Sequence, residues 1–182
     1  MEIHAYEKLW LALALVLIVG FIGTITYGAA GAGIDMIDDK GGTVDPATLN
    51  EHPKFGDPGI EKTGENHYDV YVVARQFVFE PGTSEPLRVP EGSTVTFHVT
   101  AADVIHGFEV VGTNANTMAI PGQVSEFTVE FDEAGEYGLL CNEYCGSGHH
   151  VMEGKIVVME QSEFDSWYEQ QEQQEQQTEG EN

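Results

Sequence analysis

The chain has 182 residues, enough for one globular domain with appendages. Its 31 acidic residues stand against 7 Lys and Arg, a net charge of −24 that excludes general nucleic-acid binding, which needs a basic footprint. Two cysteines are too few for a disulfide scaffold. So acidic a surface repels itself in dilute buffer but is screened in concentrated salt, where at about 1 M the Debye length is roughly 3 Å; the acidic bias and scarce Lys point to a halophilic protein.

Leu9 to Ala32 runs without a charge for 24 residues. A helix of that length spans about 36 Å, enough to cross a hydrocarbon core of about 30 Å with some tilt. Tyr6 and Trp10 lie near one end and Tyr27 near the other, as interfacial aromatics do. The small residues Gly28 to Ala32 also offer a signal-peptidase site, but the apolar run exceeds an ordinary signal segment. Residues 1–33 are therefore read as a single-pass membrane anchor, with the short N-terminus inside and the large domain outside.

Residues 34–66 are rich in Gly, Pro, Asp and Lys and lack sustained periodicity, so they read as a linker crossing a surface of the domain or of a partner. His52 and His67 read as solvated. From 67 to 160 the pattern becomes short strands: Tyr68 to Ala74, Ser93 to Thr100, the stretch holding Phe127, Val129 and Phe131, Gly135 to Leu140, and Lys155 to Met159. Alternation with period two, broken by Pro90-Glu91-Gly92, Pro121-Gly122 and Glu133-Ala134-Gly135, indicates a mainly β domain, an antiparallel sandwich or Greek-key barrel. His98 falls on the polar face of its strand and is expected to be exposed. Residues 161–182 read as a short helix capped by Ser162, with Phe164, Trp167 and Tyr168 as its apolar stripe, then a disordered tail of Glu and Gln.

One stretch carries the chemistry. Cys141-Asn142-Glu143-Tyr144-Cys145-Gly146-Ser147-Gly148-His149-His150-Val151-Met152 holds both cysteines, a histidine four positions after the second, and a methionine three further on. Thiolate, imidazole and thioether form a soft ligand set, suited to copper, zinc or iron–sulfur rather than magnesium or calcium. The glycines at 146 and 148 let the backbone fold back so that ligands converge. His106, in Asp103-Val104-Ile105-His106-Gly107-Phe108, starts a strand after a turn, and loops of a Greek-key sandwich gather at one end; His106 is thus expected to meet Cys141, Cys145, His149 and Met152. Tetrahedral zinc would take two Cys and two His but has no use for Met152. A single-copper blue site would use two His, one Cys and an axial Met, leaving one cysteine over. Two coppers sharing both sulfurs would use the whole set.

Cys-x-Glu-x-Cys-x3-His-x2-Met with the upstream Asp-Val-Ile-His resembles subunit II of haem–copper cytochrome c oxidase. The likeness runs from Tyr6-Glu7-Lys8-x-Trp10 to Ile156-Val157-Val158. The single anchor and the run His106 to Asn114 look closest to the B-type, ba-like branch, here of a haloarchaeal type. The resemblance implies a cupredoxin-like Greek-key β-sandwich behind one transmembrane helix, and a binuclear CuA centre in the domain at 67–160. Cys141 and Cys145 would bridge both coppers. His106 and Met152 would complete one, and His149 with the backbone carbonyl of Glu143 the other. In many relatives the side chain at the Glu143 position also helps hold magnesium at the boundary with subunit I, whereas the ba-like branch has another residue there; a carboxylate is the hard ligand magnesium takes. Tyr144, His150, Phe77 and Phe79 are expected at the rim where a donor docks.

The implied function is an electron-transfer subunit. It would take electrons outside the cell membrane from a cytochrome c or small blue copper protein and pass them to the haems of subunit I, where oxygen becomes water with proton translocation. A stand-alone membrane-anchored copper carrier is the alternative. A nitrous-oxide reductase is disfavoured by the missing propeller domain, and a quinol-oxidase subunit by the intact ligand set.

Overall fold

The computed structural model describes residues 4–31 and 41–179. They fall into two units, divided after Met36. The first holds one helix, α1 (Ala5–Gly31). Its stretch Ala5–Gly28 has a mean hydropathy of 2.5, long and apolar enough to cross a membrane. Tyr6, Trp10 and Tyr27 near its ends are exposed, as is its apolar surface from Leu9 to Ile25.

The second unit is a sandwich of two five-stranded sheets. One contains β1 (Ile60–Lys62), β2 (His67–Arg75), β3 (Val78–Glu80), β5 (Ser93–Ala101) and β8 (Ser125–Phe131). The other follows the order β4 (Leu87–Pro90), β10 (Glu153–Met159), β9 (Gly135–Leu140), β6 (His106–Val110), β7 (Asn116–Ala119). Period-two alternation puts Val70, Val72 and Ala74 of β2, Val95, Phe97 and Val99 of β5, and Phe127, Val129 and Phe131 of β8 on the inner face. The facing sheet supplies Leu87, Val89, Phe108, Val110, Leu139, Ile156 and Val158. The register sets Phe97 opposite Phe127, and their rings stack at 5.1 Å. Phe108 meets Phe79 edge-on at 5.4 Å, closing the core beneath the end of the sandwich where His106 begins its strand.

Several expectations change. The pairing is mixed rather than purely antiparallel: β2 with β5, and β4 with β10, run parallel. The described part of the supposed linker is built into the sandwich. A 3₁₀ helix (Pro46–Glu51), N-capped by Asp45, and the following turn send Leu49 and Phe55 into a small cluster with Val73 and Val124. Two isolated apolar residues make no periodic signal, so the burial could not be read from pattern. The first part of that segment, 34–40, lies outside the described residues.

The expected disordered tail is corrected as well. Helix α2 (Gln161–Glu179) runs on through the Glu/Gln stretch; residues 180–182 lie outside the described residues. Glu and Gln are good helix formers, and the helix is anchored at its start. Phe164 is buried against Tyr68, edge to face at 5.3 Å, and the Arg88 guanidinium lies over the Trp167 ring at 5.3 Å. His98 is not exposed. It is half-buried between Asp69 and Glu126 and stacks on Tyr71 at 4.7 Å, because the neighbouring strands carry long side chains on the same outer face.

Candidate metal centre

Strands β9 and β10 form an antiparallel hairpin whose long loop carries the cysteine stretch. The ladder pairs Leu140 with Glu153, and one more rung, from Cys141 N–H to the Met152 carbonyl at 3.3 Å, closes the loop's base. That rung sets Cys141 opposite Met152. On the other side β9 pairs with β6, Leu140 opposite Glu109, so the same register brings the first residue of β6, His106, alongside the loop. A second short 3₁₀ helix (His149–Val151) turns the chain back toward Met152.

The loop is seated on the turn between β2 and β3. Gly146 has φ +132, a left-handed conformation that favours glycine. Gly148 is required for space: a Cβ there would lie 2.4 Å from Phe77 Cδ2.

Inside, Cys141 Sγ and Cys145 Sγ lie 3.7 Å apart, far beyond the roughly 2.05 Å of a disulfide, and both are buried free thiols. His106 Nδ1 is 3.2 Å from Met152 Sδ and 3.9 Å from Cys141 Sγ. Cys145 Sγ is 3.6 Å from His149 Nδ1 and 3.6 Å from Met152 Sδ. The Glu143 carbonyl oxygen stands 3.2 Å from Cys141 Sγ. Thus five side chains singled out in the sequence, and the Glu143 backbone, come together at one end of the sandwich.

Among the described residues, His106, Cys141 and Cys145 form one group whose ligand atoms lie within 4.8 Å of one another, and His149 stands outside it, beside Cys145. His106, Cys141, Cys145 and Met152 are buried, whereas His149 is half-buried. Burial, reinforced by the adjoining Cys141 thiol, pushes the Cys145 thiol up to about 11. Metal binding must therefore displace a proton there.

The supporting contacts were not singled out in the sequence. His106 Nε2 donates to Asp103 Oδ1 at 2.8 Å, which leaves Nδ1 as the imidazole's free lone pair. Burial raises the Asp103 carboxyl, but hydrogen bonds from His106 and from the Gln76 and Val104 backbone N–H groups outweigh it and hold it below the ordinary carboxylate value. The side-chain amide of Gln76 donates to the Cys145 carbonyl. Asn142 Nδ2 donates to Glu109 Oε2 at 3.1 Å. The Asp103 spacing, three residues before the histidine, is a signal that could have marked it; Gln76 has none, because its contact spans the fold.

The segments that carry the site also expose apolar side chains: Val104, Ile105, Val151 and Tyr144, the last 75% exposed. His150 is exposed and Phe77 half-buried. Phe79, expected at this rim, is instead 1% exposed in the core, since alternation along β3 points it inward.

Residues 61–161 match the family model described as cytochrome c oxidase subunit II, periplasmic domain. A cytochrome c oxidase subunit 2 of Thermus thermophilus is 44% identical over 161 residues, covering 87% of this chain and 94% of that protein. Among solved structures, a chain of a haem–copper terminal oxidase dimer superposes with a TM-score of 0.69 at 38% identity, over 85% of this chain and 99% of the other. The periplasmic domain of oxidase subunit II from Bradyrhizobium japonicum matches with a TM-score of 0.54 at 25% identity, over 58% of this chain and 94% of that domain.

Proposed function

The chain belongs to the cytochrome c oxidase subunit II family, and from that membership and the site's geometry we propose that its cysteine loop holds a two-copper CuA centre. As subunit II of a haem–copper terminal oxidase it is an electron-transfer component, and the haem chemistry belongs to its partner, subunit I. The observation that carries the copper reading is that His149 lies outside the compact group of His106, Cys141 and Cys145 while the Met152 thioether lies against it. A tetrahedral zinc site, with bonds of about 2.1–2.3 Å, needs all four ligand atoms mutually adjacent. Here His149 stands apart from the group around His106, and the donor 3.2 Å from His106 Nδ1 is the thioether of Met152, which zinc sites do not use. The donors are soft or borderline, as copper prefers.

Cys141 and Cys145 would hold the copper pair as thiolates, with His106 and Met152 as ligands on one flank and His149 with the Glu143 carbonyl on the other. When bound, the copper pair accepts and releases one electron at a time. The protein's part is to hold the donors in one arrangement for both redox states. The two sheets fix His106 and Cys141 on neighbouring strand ends, and the rung from Cys141 to Met152 fixes the loop base. The Glu143 side chain is exposed, and two readings stand: its carbonyl alone serves the copper site, or its carboxylate also holds magnesium at the boundary with subunit I, as a hard ligand can. On the second reading Glu143→Gln should cost the complex its bound magnesium or manganese while the copper spectrum stays; retained metal would refute that role.

The helix α1 is read as the single-pass anchor, with the copper domain on the external face of the cell membrane, in a B-type, ba-like oxidase. The donor is a cytochrome c or a small blue copper protein. A net charge of −24 argues for a concentrated-salt environment, where charge steering is weak, so the apolar rim of Val104, Ile105, Tyr144 and Val151 is the surface offered to the donor. Purification of the full chain from its own membranes tests the assembly. Recovery with haem and a polytopic subunit is expected, and isolation as a lone copper protein would refute it.

A further inference from the structure

Three segments meet at the metal end of the sandwich: the run from Asp103 to His106, the cysteine loop, and the Gln76-Phe77 turn between β2 and β3. The turn carries none of the assigned ligands. Gln76 nonetheless makes two hydrogen bonds, one to each of the ligand-bearing segments. Its backbone N–H donates to Asp103 Oδ2 at 2.8 Å, and the same carboxylate's Oδ1 accepts from His106 Nε2 at 2.8 Å. Its side-chain amide donates to the carbonyl oxygen of Cys145. An exposed glutamine ordinarily leaves its amide in water and keeps its rotamer freedom. Here the loop lies against its amide and holds it. A Cβ on Gly146 would lie 2.7 Å from Gln76 Nε2 and 3.2 Å from the Phe77 ring.

We propose that Gln76 is a positioning residue that ties the His106 segment to the Cys145 segment and tunes the reduction potential of the metal pair. The proposal rests on the copper reading above. Asp103 fixes the His106 ring, and Gln76 fixes Asp103 through its backbone; the side-chain bond fixes the peptide that leads out of Cys145. One residue therefore couples a terminal ligand to a bridging one. The amide N–H also places a partial positive charge beside the site. Reduction removes one unit of positive charge from the metals, so a nearby donor favours the reduced state. Removing the donor lowers the potential, and replacing it with a carboxylate lowers it further.

The test uses the full chain in detergent, with Gln76→Met, which keeps length without a donor, and Gln76→Glu, which puts an acceptor against the Cys145 carbonyl. In the metal-free protein, iodoacetamide should alkylate Cys145 several-fold faster in both variants. After copper loading, retention against a chelator should fall by about tenfold, the lower end for loss of an outer-sphere partner. The potential should fall in the order wild type, Gln76→Met, Gln76→Glu. Unchanged potentials and alkylation rates overturn the proposal. So does a lower melting temperature with both unchanged, because Gln76 would then be structural only. Should wild type fail to take up two coppers, the copper reading itself fails. The metal-free alkylation rates then decide the tie alone, and equal rates reject it.

Discussion

His106 donates its Nε2 proton to Asp103 Oδ1 at 2.8 Å, and this contact turns Nδ1 toward the thioether of Met152, 3.2 Å away. The carboxylate lies three residues before the histidine and also accepts from the Gln76 N–H and the Val104 N–H, at 2.8 and 2.6 Å. The tautomer is thus set by backbone-anchored groups before any metal arrives.

Asp103→Ala should therefore weaken copper binding by about 10- to 100-fold, the usual loss for an outer-sphere partner of a ligating histidine. Asp103→Asn, which still offers an oxygen acceptor, should lose less. Competition with a copper chelator measures both. Equal affinities for wild type and Asp103→Ala would show that His106 is oriented by other contacts.

Gly107→Ala should damage the loop more than its size implies. A Cβ at 107 would fall 1.8 Å from Asn142 Oδ1 and 2.8 Å from the Asn142 backbone N. The side chain can swing away, breaking its bond to Glu109, but the backbone cannot. Overpacking of this kind costs about 1–3 kcal/mol. Chemical denaturation of the variant reads it, and unaltered stability would mean the β6–β9 register is not as described.

Helix α2 is anchored at its start. Phe164→Ala removes a ring buried against Tyr68, Trp167 and Tyr168 and should cost about 3–5 kcal/mol. Deleting residues 173–182 should leave the melting temperature nearly unchanged. A large loss on that deletion would show that the acidic helix contributes to the fold.

The charge imbalance predicts a melting temperature that rises with KCl. Screening relieves repulsion among 31 acidic side chains opposed by 7 Lys and Arg. A protein most stable in dilute buffer would contradict the high-salt reading.

The sandwich was legible because Val95, Phe97 and Val99, and again Phe127, Val129 and Phe131, alternate with polar neighbours, and those runs are the inner faces of β5 and β8. The clustering of Cys141, Cys145, His149 and Met152 was legible because they lie within one loop. What escaped depends on contacts across the fold. Leu49 and Phe55 are lone apolar residues in a polar segment, buried only because Val73 and Val124 lie beside them. His98 reads as solvent-facing until Tyr71 of the parallel neighbour stacks on it. Phe77 and Phe79 share one face by period two, but Phe77 falls in the turn before β3, so only Phe79 follows the strand into the core, and the sequence does not mark where the strand begins. Gln76 sits 69 residues from the carbonyl it holds, with no local pattern to mark it.

The two-copper assignment is tested most directly by quantifying copper and recording the EPR spectrum of the loaded full chain. The account predicts two coppers per chain, one unpaired electron shared by both in the oxidised form, and loss of that signal in Cys141→Ser. A single copper with a blue-site spectrum, or a spectrum that survives Cys141→Ser, would contradict it.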